Sequence, residues 1–123
     1  MVSVILLEDD MLLSMVQKKM LQSIGYDVIA TSTSGEEGLK KIEELKPDIV
    51  VSDQNLLGNL KGLDIVIHLR EQNNNTPFII LSGDTTNAHI QSTKNITNLE
   101  SLSKPVNVNE LKTKLKSIES TIL

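Results

Sequence analysis

The sequence of 123 residues has no cysteine and no tryptophan, and Tyr26 and Phe78 are its only aromatic residues. Without cysteine there is no disulfide frame, no thiolate chemistry and no cysteine-based zinc site. Two aromatic rings are too few for a surface that stacks bases or sugars. Basic residues are outnumbered: 12 Lys and Arg against 16 Asp and Glu give a net charge of −4 and a pI of about 5.1. A sequence-blind grip on a phosphate backbone needs the opposite sign. Long apolar runs are missing too. The longest, 4–7 and 78–81, have four residues each, far short of the ~20 that cross a bilayer. Met1 is not followed by a basic segment, so no secretory signal is expected. What the chain has in quantity is branched aliphatic side chains. Leu, Ile and Val fill 40 of 123 positions, enough for the interior of one domain. The expectation is a single acidic, cytoplasmic domain with no direct nucleic-acid partner and no membrane association.

Five short runs read as strands: Ser3–Leu7, 27–31, 49–52, Phe78–Ser82 and 99–102. The first, third and fourth show no polar alternation, as expected of strands covered on both faces of a parallel sheet. Helical periodicity fills the intervals. Leu13, Val16, Met20, Leu21 and Ile24 suggest one stripe, stopped by Gly25. Ser34 and Glu37 form a capping box before a second helix carrying Leu39, Ile42 and Leu45, closed by Pro47. A third runs from about Gly62 to Glu71 with Leu63, Val66, Ile67 and Arg70, and a short polar one is expected at 86–94. The last, about 107–121, carries Val108, Leu111, Leu115, Ile118 and Ile122 along one line. Strict alternation of strand and helix predicts an α/β fold: a five-stranded parallel sheet, doubly wound, with helices on both faces.

In such a sheet, ligands bind at the carboxyl ends of the strands. Glu8, Asp9 and Asp10 follow the first strand, Asp53 the third, Ser82 and Gly83 the fourth, and Lys104 and Pro105 the fifth. Singly, each has an ordinary explanation as a helix-terminal or turn residue. Jointly they put carboxylates, a hydroxyl and an ammonium on one edge. Crowded carboxylates repel unless a cation sits among them, and Mg²⁺ suits a site with few carboxylates and open water positions.

The segments VILLEDD, PDIVVSD, FIILSG and LSKPVNVNEL, in that order, closely resemble the receiver domain of bacterial two-component response regulators. The resemblance covers essentially the whole chain and implies a flavodoxin-like sheet of strand order 2-1-3-4-5. By similarity, Asp53 would accept a phosphoryl group from a phosphohistidine on a histidine kinase or histidine phosphotransfer protein. Mg²⁺ would be held by Asp9, Glu8, Asp53 and the backbone carbonyl of Asn55. Lys104 and Ser82 would pair with phosphoryl oxygens, and the Lys104–Pro105 peptide would be cis. Asp10 is expected at the helix N-terminus or in support of the metal ligands, rather than coordinating the metal itself. The resemblance further implies a protein target downstream. It also implies an output surface, and a route to homodimers, made by 86–94, the fifth strand and the last helix.

Several positions depart from the family pattern. Leu57 stands where proline is common, and the expected glycine arrives one place late as Gly62, so the loop 56–61 is longer and is expected to be more mobile. Ser101 replaces an aromatic residue whose inward turn reports activation in the family, and Ser82 replaces the commoner threonine. Asn55 and Asp84 occupy positions that tune dephosphorylation. His68 and His89 have no second ligand at metal spacing and read as surface or boundary residues. Lys112, Lys114 and Lys116 read as the solvated flank of the last helix, and Met11, Met15 and Met20 as core filler. The alternatives are a receiver cut from a hybrid histidine kinase or a longer regulator, and a Mg²⁺-dependent aspartyl-phosphate phosphohydrolase, but the latter enzymes carry D-x-D on the first strand and a cap domain. A nucleotide or flavin site would need a glycine-rich or hydroxyl-rich loop where Glu8-Asp9-Asp10 stands.

Overall fold

Three runs without a polar residue in their interiors become the three central strands of one parallel sheet. The computed structural model describes residues 1–83 and 96–122. It orders β1 (Ser3–Leu7), β2 (Asp27–Ser32), β3 (Ile49–Asp53), β4 (Phe78–Ser82) and β5 (Leu99–Ser103) as β2-β1-β3-β4-β5. Every neighbouring pair is parallel. β3 and β4 are buried along their whole length and β1 at all but its first residue, whereas the edge strands β2 and β5 are mostly half-exposed. The helices are α1 (Met11–Ser23), α2 (Gly35–Leu45), α3 (Gly62–Glu71) and α4 (Val108–Ile122). The expected helix at 86–94, with His89 and Asp84, lies outside the described residues. Among the described residues, no helix is long and apolar enough to cross a membrane.

Strand alternation splits the interior into two layers. Val4, Leu6, Ile49, Val51, Ile79 and Leu81 pack with Leu21 of α1 and Leu111, Leu115 and Ile118 of α4. Ile5, Leu7, Val50, Phe78 and Ile80 pack with Ile42 of α2 and Ile65, Val66 and Leu69 of α3 on the other face. The doubly wound arrangement therefore follows from the period-2 direction of side chains on strands that are apolar on both faces.

Local chemistry sets the helix ends largely as the sequence suggests. Asp10 caps α1, its Oδ1 accepting from the N–H groups of Leu12 and Leu13 at 2.9 and 3.1 Å. Gly25 follows the helix at φ +97°, in the left-handed region that glycine enters freely. Ser34 Oγ accepts from the Glu37 N–H, while the Glu37 carboxylate pairs with Lys41.

The buried stripes differ from expectation in detail. On α1 the inward line is Gln17, Met20, Leu21 and Ile24, with Leu13 and Val16 both exposed. Leu13 shares that line but lies one turn nearer the rim, where β1 has already ended. Met11 and Met15 are 74% and 59% exposed, so they do not fill the core; only Met20 is partly covered. On α2, Gly38 rather than a larger residue meets Leu7, and Leu45 is exposed at the helix end. On α3, Ile65 and Leu69 join Val66 inside, while Ile67 faces outward.

Arg70 has a role that periodicity does not reveal. Its guanidinium donates to the carbonyls of Asn74, Thr76, Thr97 and Asn98 at 2.9–3.2 Å, tying the α3–β4 loop to the entry of β5. A fixed planar fork can serve four acceptors at once, which an ammonium cannot. Arg70→Ala should lower unfolding stability by about 2 kcal/mol in urea titration, and Arg70→Lys should recover less than half of the loss. Full recovery by lysine would show that charge alone matters there.

Candidate functional site

The β1–β3 register pairs Leu7 with Ser52. One residue further, Glu8 and Asp53 continue the lines of Val4–Leu6 and Ile49–Val51 toward the α1 and α4 side. Both end up buried, at 0% and 3% exposure. Backbone bonds fix these strand ends in place: the Glu8 N–H donates to Ser32 O, Gln54 N–H to Leu81 O, and Lys104 N–H to Ser82 O, each at 3.0 Å. The last of these brings the Lys104 backbone beside the end of β4, where Ser82 is buried. The Lys104–Pro105 peptide is cis, as the resemblance implies.

Across this edge Lys104 Nζ lies 3.0 Å from Asp53 Oδ2 and 3.5 Å from Glu8 Oε1. Carboxylate oxygens of Glu8, Asp9 and Asp53 all lie within 4.8 Å of one another. Glu8, Asp9, Asp53 and Lys104 are thus brought together. Asn55 donates its N–H toward Asp53 Oδ1 at 3.4 Å, which places its backbone beside the same carboxylate. Asp10 turns away to cap α1, as expected. His68, on α3, is half-buried and lies on the opposite face of the sheet from Glu8 and Asp53. Lys114 and Lys116 make surface ion pairs with Glu100 and Glu119, and Lys112 is exposed, in keeping with a solvated flank.

Crowding sets the protonation behaviour of the cluster. Burial, with Asp9 and Asp53 adjoining, pushes the Glu8 carboxyl up to about 7. Its bond with Glu8 holds Asp9 below the usual carboxylate range. Burial works against the Lys104 ammonium, but the bond to Asp53 and the charges of Asp53 and Glu8 outweigh it and raise its pKa. The donor set is hard, anionic and oxygen-only, with Asp9 exposed to water, and this fits Mg²⁺ better than a soft metal.

The loop after β3 is held rather than loose. Glu36 at the start of α2 accepts from the N–H groups of Asn59 and Leu60 at 3.0 and 2.7 Å. Gly58 sits at φ +86°, and a Cβ there would collide with the Glu36 carboxylate. Leu57 exchanges backbone bonds with Thr33 and Gly35, and Lys61 Nζ reaches back to Leu56 O. The extra residue is therefore absorbed in a turn docked on α2 through bonds that the loop's length alone does not announce. Gly62 then returns the chain against the acidic site, where a Cβ would come within 2.7 Å of Asp53 O. Sequence reasoning missed Glu36, Gln54, which caps α3 through Leu63 N–H, and Gln17, which bonds Glu8.

Residues 4–116 match the response regulator receiver domain family, and the chain belongs to it. A protein-glutamate methylesterase/protein-glutamine glutaminase of Koribacter versatilis is 36% identical over 86 residues, 69% of this chain and 23% of that protein. Chemotaxis protein CheY of Thermotoga maritima is 30% identical over 79 residues, 64% of this chain and 65% of that protein. The chain thus matches less than two thirds of the length of either relative. The receiver domain of the Francisella response regulator 1452 superposes over the full length of both chains with a TM-score of 0.88 at 27% identity. Such domains are the regulatory parts of two-component signalling systems, which pass input from kinases to downstream effectors.

The raised Glu8 carboxyl has a signed consequence. A carboxyl that holds its proton more firmly folded than unfolded stabilises the fold below its unfolded value of 4.5, and that contribution is lost as pH rises through about 7. In metal-free buffer the urea midpoint of the parent, relative to Glu8→Gln, should therefore fall between these two values. A pH-independent difference between the two proteins would contradict the crowding described.

Proposed function

We propose that the chain is a phosphorylation-dependent switch in which Asp53 accepts a phosphoryl group from a phosphohistidine on a histidine kinase or histidine phosphotransfer protein. The observation that carries this reading is the meeting of Asp53 with Lys104 at 3.0 Å beside Glu8 and Asp9. In the transfer, a carboxylate oxygen of Asp53 forms a bond to phosphorus as the phosphorus–nitrogen bond breaks, and the imidazole leaves with the electron pair. A carboxylate needs no base to become the nucleophile.

Asp9, Glu8, Asp53 and the Asn55 carbonyl would hold Mg²⁺, which supplies charge neutralisation for the phosphoryl oxygens and the attacking carboxylate. Lys104, released from part of its pairing with Asp53, turns its ammonium to one phosphoryl oxygen. Ser82 offers its hydroxyl to another from the end of β4. Both movements pull on the β3–α3 loop and on β5, where Ser101 is exposed instead of a large ring. The signal then travels through backbone and through Leu102, which is 8% exposed and packs into the α4 layer. Attack of water on the acyl phosphate resets the switch, so the only substrate is the protein's own phosphorylated form. Its partners are the phosphodonor protein and a downstream protein target in the cytoplasm.

Incubation with Mg²⁺ and acetyl phosphate, followed by intact mass measurement, tests this directly. One phosphoryl adduct is expected on the parent, none on Asp53→Asn, and none when Mg²⁺ is chelated. Turnover of many phosphate esters per chain would overturn the reading in favour of a phosphohydrolase.

A further inference from the structure

Gln17 occupies an inward position on α1, one turn before Leu21, and is 5% exposed. An aliphatic side chain would suit that layer, since Val4, Leu6 and Leu21 make up the adjoining core. The amide instead sends Nε2 to Glu8 Oε1 at 3.1 Å. Its Oε1 is buried and, among the described residues, is the one buried side-chain polar atom with no hydrogen-bond partner. The amide presents its donor end to Glu8 and turns its oxygen into the layer. Half of the amide is thus satisfied and half is not. An arrangement that costs stability at one end is accounted for by what it does at the other.

At the other end, beside the bond with Asp9 already described, three donors meet the Glu8 carboxyl. Gln17 donates to Oε1, the Asp10 N–H donates to Oε2 at 3.3 Å, and Lys104 Nζ approaches Oε1 at 3.5 Å. The Asp10 bond is long and the Lys104 contact is shared with Asp53. Gln17 is therefore the neutral, dedicated partner that fixes the side chain of Glu8. We infer that Gln17 is a positioning residue of the acidic site, holding the Glu8 carboxylate where it assists cation binding by Asp9 and Asp53. This rests on the Mg²⁺ reading above, and it concerns how this chain builds the site from α1.

Partners of this kind around a metal site commonly change affinity by about 10–100-fold when removed. Gln17→Leu and Gln17→Met keep the volume and remove the donor. Thermal unfolding in metal-free buffer should change little in both variants, because an unpaired buried oxygen and the donor to Glu8 are lost together. Mg²⁺ titration followed by the amide resonances of Asp9 and Lys104 should show affinity weakened roughly tenfold in both. Unchanged or tighter Mg²⁺ binding in the variants would overturn the inference, as would lowered stability with unchanged affinity, the result for ordinary packing. Failure of the parent itself to bind Mg²⁺ would bring down the metal reading and this inference together, and so is distinguishable from failure of the variants alone.

Discussion

The Lys104 ammonium, held between Asp53 and Glu8, is the contact on which the edge of the sheet depends. Two carboxylates with almost no exposure would otherwise face each other across adjoining strand ends, in a setting where desolvation penalises every unpaired charge. The backbone makes the pairing unavoidable. Parallel register sets Glu8 beside Asp53, and the bond from Lys104 N–H to Ser82 O brings the end of β5 to the same place. One ammonium cannot fully balance three acids. Burial accordingly pushes Glu8 toward neutrality, while its bond with Glu8 holds Asp9, in contact with water, below the usual carboxylate range. A site with surplus negative charge, oxygen donors and one cation already present suits a further hard cation.

Much of this was legible in the residues alone. The apolar runs at 4–7, 49–51 and 78–81 specify central parallel strands because no polar residue interrupts either face. The chemistry-bearing residues directly follow these runs, so fold and site are read from the same signal. Asp10 as the helix cap follows from its place before an apolar helix, and the structure bears it out. The strand order and the cis peptide were implied by resemblance, and both are present.

What escaped the sequence depends on where a helix sits over the sheet. Periodicity gives a stripe but not its rotation or its end, so Leu13 and Val16 fall on the expected line and yet are both exposed. The same reasoning passed over Gln17, because a polar residue on an inward line reads as an interruption until its partner is known. The anchoring of the loop 56–61 is hidden for a related reason. The loop's length was visible, but the Glu36 carboxylate that receives the Asn59 and Leu60 N–H groups lies more than twenty residues away. Arg70 is a third case, since its acceptors are backbone carbonyls that no side-chain pattern announces.

The most direct measurement is anomalous scattering from crystals grown with Mn²⁺, an ion that accepts the same carboxylate and water ligands as Mg²⁺. A single strong peak is expected within bonding distance of carboxylate oxygens from both Asp9 and Asp53, with the Lys104 ammonium still adjoining Asp53. A peak elsewhere on the molecule, or none at this edge under saturating Mn²⁺, would contradict the account.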